Sequence, residues 1–126
     1  MIITAFGFHK LATWQQAHAF TLLIYKVTNT FPREERYGIT DQLRRAASSI
    51  GAQIAEGSRM ETQMHRKLYY NRAYASAAEV ANFLHLAHDL GHLSGTDYEA
   101  LLKKLHFISV MIYRLAQSCS DKRIHM

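Results

Sequence analysis

The chain has 126 residues, 48% hydrophobic and 20% charged, which suits one folded domain and excludes a wholly disordered one. One Pro and six Gly are too few for a turn-rich all-β fold, and the one cysteine, Cys119, excludes an internal disulfide framework and a Cys-rich zinc site. Fifteen Lys and Arg against ten Asp and Glu leave a formal charge of +5, a balance that suits RNA, DNA or an anionic membrane surface.

Met1 to Phe8 lacks the basic start and small-residue cleavage site of a secretory leader. The longest stretch without Lys, Arg, Asp or Glu is Leu11 to Tyr25, 15 residues interrupted by Gln15, Gln16 and His18. It is too short and too polar to span a bilayer. A cytoplasmic chain with a reduced, inert Cys119 is therefore expected.

Four helices are predicted, at about 13–30, 40–56, 62–90 and 96–117, with a frayed tail over 118–126. In the first, Ala17, Phe20, Ile24, Val27 and Phe31 recur at spacings of three and four, and Phe31-Pro32 stops it. A short connection containing Gly38 follows. Thr40 is the expected N-cap of the second helix, whose apolar stripe is Ile39, Leu43, Ala46, Ile50 and Ile54. Its run of Ala46, Ala47, Ser48, Ser49, Gly51 and Ala52 allows close approach by a neighbouring helix. Gly57 is its expected left-handed stop.

In the third helix the expected core face is Leu68, Ala75, Val80, Phe83, Leu84, Ala87 and Leu90, with Gly91 as terminator. The fourth opens with Thr96-Asp97-Tyr98-Glu99, which reads as a capping box. Tyr98, Leu101, Leu105, Ile108, Ile112 and Leu115 then alternate by three and four, the most regular pattern in the chain. Short links between four amphipathic helices favour an all-α, up-down-up-down four-helix bundle over residues 1–126.

Two motif blocks carry a resemblance. Phe31-Pro32-Arg33-Glu34-Glu35-Arg36-Tyr37-Gly38-Ile39 leads into Gln42-Leu43-Arg44-Arg45-Ala46-Ala47-Ser48-Ser49-Ile50, and Ile54-Ala55-Glu56-Gly57 follows. The chain resembles the bacterial four-helix bundle protein family, also called the 23S rRNA intervening-sequence protein family. Leu11, Trp14, Gln15 and Ala17 match its opening, Ala73, Ser76 and Glu79 its third helix, and Leu90-Gly91-His92-Leu93 the turn after it. Gln53, Gly51 and Ala75 depart from the usual Asn, Pro and Gly. The resemblance implies a small cytoplasmic bundle without established catalytic activity, assembled as a cyclic homopentamer. It further implies kinship with the accessory variability protein of diversity-generating retroelements, which binds nucleic acid and a reverse transcriptase.

His85, His88 and His92 fall at i, i+3 and i+7, a spacing that could present three imidazoles for Zn²⁺. No carboxylate completes the set, so a polar stripe is preferred and no metal or cofactor is assigned. No Glu is followed three residues later by His, which removes a di-iron bundle site. No Gly-x-Ser-x-Gly elbow or phosphate-cradling glycine loop occurs, and the chain is read as not an enzyme.

Gln42, Arg45, Gln53, Glu56, Ser76 and Glu79 are expected near buried faces, as an interhelical polar network pairing Arg45 with Glu56 or Glu79. Arg44, Arg59, Arg66, Lys67, Lys103 and Lys104 are the expected phosphate contacts; Lys122 and Arg123 are further basic residues, on the tail. Arg66-Lys67 beside Tyr69-Tyr70 mixes cations with aromatics, which suits phosphates and stacked bases. Five copies would carry about +25 formally. Trp14, Phe20, Tyr25, Tyr69, Tyr70, Tyr74, Tyr98, Phe107 and Tyr113 exceed what one small core needs, and some are expected at subunit contacts. A non-enzymatic nucleic-acid-binding accessory protein is the leading reading, and a protein–protein scaffold the alternative.

Overall fold

A computed structural model describes residues 6–119, and these contain four α-helices and no strand. Helix α1 spans Ala12–Thr28, α2 Ile39–Ser58, α3 Gln63–Asp89 and α4 Gly95–Gln117. Two 3-10 turns, Phe8–Lys10 and Arg33–Glu35, precede α1 and α2. Successive helices pack on each other, with α2 against α3 the most extensive contact, and α1 also packs on α4, less extensively. The short links leave no room for a crossover, so neighbours run antiparallel in an up-down bundle.

The core is built from one stripe per helix. It takes Ala17, Phe20 and Ile24 from α1, and Leu43, Ala46, Ala47, Ile50 and Ile54 from α2. Tyr70, Ala73, Ala77, Val80, Leu84 and Ala87 come from α3, and Leu101, Leu105, Ile108 and Ile112 from α4. Burying each large side chain contributes roughly 1.5–3 kcal/mol. The small residues of α2 explain its tight seat on α3. Ser49 Oγ lies 2.9 Å from Ser76 Oγ across that contact, and bare Gly57 faces the Tyr70 ring and the Cβ of Tyr69. On the other side Thr21 Oγ1 donates to the Ala47 carbonyl at 3.1 Å, binding α1 to α2.

Several local expectations are corrected. Leu68, Ala75 and Leu90 are exposed, because α3 is apolar on more than one side and turns the Tyr70–Ala87 stripe inward instead. Gly57 does not stop α2, which continues to Ser58 with Gly57 buried inside it. Thr40 is not the cap of α2; Glu35 Oε1 accepts from the Ile39 amide there at 3.3 Å. The cap of α4 is Ser94, which accepts from the Asp97 amide at 3.1 Å, two residues before the expected Thr96 box. Thr62 caps α3 as expected, accepting from the His65 amide. Gly91 ends α3 at φ 80°, with the His92 amide bonded to the Ala87 carbonyl and its own to that of His88, a Schellman turn. Cys119 is buried against the bundle rather than lying in a loose tail.

Candidate nucleic-acid interface

The expected phosphate contacts fall in three separate places. Arg59, Arg66 and Lys67 lie where α2 passes to α3. Arg66 Nε donates to the Met60 carbonyl at 2.7 Å, and Arg59 Nη1 to the Phe6 carbonyl at 3.3 Å. These bonds go to neutral carbonyls and leave both charges uncompensated. Arg72 adds a fourth cation, its guanidinium 4.9 Å from the Tyr69 ring. Tyr70 is buried under Gly57 and cannot stack on a base, and burial pushes its hydroxyl pKa up.

Lys103 and Lys104 are exposed on α4 and border an apolar groove of about 320 Å³ against α1, walled by Ala19, Leu23 and Phe107. Arg44 lies at the opposite end of α2 from Arg59 and is half-buried on α1. Its Nε donates to Thr28 Oγ1 at 2.7 Å, and its Nη2 to Asn29 Oδ1 at 3.1 Å and the Tyr25 carbonyl at 3.3 Å. The guanidinium also lies 4.7 Å from the Tyr25 ring centre, within cation–π range. Arg33 and Arg36 line the same corner, in the turn before α2. They were not singled out as phosphate contacts, although their spacing of three in Arg33-Glu34-Glu35-Arg36 places both in one short turn. Lys122 and Arg123 lie outside the described residues.

The expected polar network does not form within the chain. Arg45 pairs with Asp41 one turn back on its own helix at 2.9 Å, on the surface, and meets neither Glu56 nor Glu79. Gln42, Glu56 and Glu79 are exposed. Ser76 bonds Ser49 alone, and Gln53 Oε1 is buried without a partner among the described residues. On α2, Gln42, Arg45 and Glu56 lie beside the core stripe, so their side chains reach the surface.

The histidine row is also divided. His85 Nδ1 hydrogen-bonds the Tyr98 hydroxyl, and His88 stacks on the Tyr98 ring at 4.2 Å and 14°. His92 lies beyond the left-handed Gly91 and turns to Glu35 instead. Among the described residues no three His, Cys, Asp or Glu side chains converge as a metal would require. No described helix is long and apolar enough to cross a membrane.

Four packed helices with cations at three places along their surface define a small basic helical-bundle protein. The chain belongs to the 23S rRNA-intervening sequence protein family, whose model matches residues 9–114. A crystal structure of a protein of unknown function from the S23 ribosomal protein family of Bacteroides thetaiotaomicron is similar in fold. It shares 19% identity at a TM-score of 0.75, over 83% of this chain and 98% of that one. No curated protein matches the chain by sequence.

Proposed function

We propose that the protein is a non-enzymatic, cytoplasmic, oligomeric accessory factor that binds the phosphate backbone of RNA or DNA. Arg44, Arg59, Arg66, Lys67, Lys103 and Lys104 make the contacts. The observation that carries this reading is uncompensated charge. Among the described residues Arg45 is the one Lys or Arg that meets a carboxylate. The other cations hold neutral acceptors, aromatic faces or solvent, and remain available to displace counterions from a nucleic acid. Assembly of several copies, as the family resemblance implies, multiplies that field on one surface. Nothing in the geometry favours base-edge reading, so binding follows the backbone and tolerates sequence.

The test is titration of structured RNA and duplex DNA across a salt series, with the mass in the same buffers measured by light scattering. Binding that weakens steeply with salt is expected, and Arg66→Gln with Lys67→Gln lowers the slope by about one per lost contact. A second reading, a protein–protein scaffold, draws on exposed apolar side chains: Leu68, Tyr74 and Leu86 on α3, and Phe107 and Tyr113 on α4. A well-folded oligomer that binds neither nucleic acid at low salt makes the scaffold the reading to pursue.

A further inference from the structure

The corner between α1 and α2 holds a polar depression of about 310 Å³, lined by Arg33, Arg36 and Arg44 together with Asn29 and Thr40. That is the space of roughly ten waters at about 30 Å³ each, enough for a phosphate group and part of what carries it.

Its charge is unbalanced. Arg44 is held by Thr28, Asn29 and Tyr25, all neutral acceptors, and its Nη1 has no partner among the described residues. Arg33 and Arg36 are exposed, and their guanidiniums form no hydrogen bond or ion pair among the described residues. The Arg36 guanidinium lies 5.7 Å from the centre of the Tyr37 ring. The nearby carboxylates are committed elsewhere or stand outside. Glu35 bonds His92 and the Ile39 amide, Asp41 bonds Arg45, and exposed Glu34 does not line the depression. Thr40, at 8% exposure, also lines the depression.

Three arginines line one polar hollow, and no carboxylate lines it with them. Arg33 and Arg36 each offer a planar fork of donors matched to phosphate oxygens, and Arg44 adds its free Nη1. Arg44 is already immobilised, so it loses little side-chain entropy on binding. We propose that this depression is a phosphate-group site, with Arg44 as its fixed floor and Arg33 and Arg36 as closing arms. The chemistry recognised is the phosphate itself, on a nucleic-acid strand or on a free phosphorylated molecule. The inference goes beyond the backbone-binding reading, because the hollow can hold a free phosphate whether or not the chain binds nucleic acid.

The full chain is titrated with pyrophosphate by calorimetry to millimolar concentration, and with single-stranded RNA by fluorescence anisotropy. The variants are R33Q/R36Q and R66Q/K67Q. Arg33 and Arg36 are exposed, so their replacement leaves the thermal midpoint unchanged. The site predicts that R33Q/R36Q weakens pyrophosphate at least about tenfold, while R66Q/K67Q leaves it unaltered. If the strand is the phosphate source, R33Q/R36Q also lowers the RNA salt slope by about one per arginine. If RNA binding is absent or unaffected while pyrophosphate binding depends on Arg33 and Arg36, the site stands with a free phosphate as its source. Failure of wild-type RNA binding alone removes the backbone reading and not the site. Pyrophosphate binding that ignores R33Q/R36Q overturns the site. So does the absence of pyrophosphate binding together with an RNA slope that the variant leaves unchanged.

Discussion

His92 Nε2 meets Glu35 Oε2 at 3.1 Å and so ties the α3–α4 connection to the α1–α2 connection at one end of the bundle. The other oxygen of Glu35 accepts from the Ile39 amide at the start of α2. One carboxylate thus joins two loops and satisfies a helix terminus. The His92 hydrogen bond, then the Ile39 amide, hold its pKa below the ordinary glutamate value. A depressed carboxylate contributes stability that is fully present above its unfolded pKa and is lost as pH falls through its folded one. The thermal midpoint should therefore hold near neutral pH and fall on acidification below about pH 4.3. Glu35→Gln should lower the midpoint at neutral pH and flatten part of that acid limb. Melts of both proteins across the acid range check this; parallel acid limbs would refute it.

Two glycines of α2 predict opposite outcomes for one substitution. A Cβ at Gly57 would stand 2.8 Å from Tyr70 Cε1 and 2.9 Å from Tyr69 Cβ, closer than packed atoms tolerate. Gly57→Ala forces α3 outward, and the overpacking of about 1–3 kcal/mol outweighs the gain in helix propensity of about 1 kcal/mol. At Gly51 the nearest atom would be Trp14 Nε1 at 3.5 Å, an ordinary contact. Gly51→Ala should stabilise by about 0.5–1 kcal/mol, since only the propensity term remains. Urea unfolding of the two variants gives the signs directly.

Gln53 exposes a cost that the fold carries. Its Oε1 is buried and has no partner among the described residues. A buried acceptor left without a donor costs about 1–3 kcal/mol. Gln53→Met keeps the length and removes the orphan oxygen, so stability should rise by about 1 kcal/mol. A loss of stability in urea would mean that the amide finds a donor in the folded protein.

The stripes of α2 and α4 were legible in the sequence because those helices are apolar on one side and polar on the other. Ile39, Leu43, Ala46, Ile50 and Ile54 are all buried, as are Leu101, Leu105, Ile108 and Ile112. The cations were legible as residue types, but their grouping was not. Arg44 and Arg66 both follow from composition, yet antiparallel packing sends them towards opposite ends of the bundle. Arg33 and Arg36 gain meaning only when the turn before α2 folds them beside Arg44. The Arg45 network failed for a local reason. Asp41, one turn away on the same helix, is reachable without crossing to α3.

The hardest segment was α3, whose apolar residues surround the helix so that two stripes compete. Leu68 and Leu90 extend one of them; Tyr70, Ala73, Ala77, Val80, Leu84 and Ala87 form the other, stepping by three and four throughout. The second wins because its alanines let α3 approach small-sided α2, which larger residues would prevent. Leu84→Ala therefore opens a cavity in a fully buried place and should cost about 2–5 kcal/mol. Leu68→Ala, at 45% exposure, should cost well under half as much in the monomer, where little cavity forms. Leu68 also tests assembly, since a second subunit covering that face would raise its cost. Unfolding of Leu68→Ala at two protein concentrations separates these cases. A cost that grows with concentration assigns the exposed stripe to a subunit contact, and a constant small cost leaves it facing solvent.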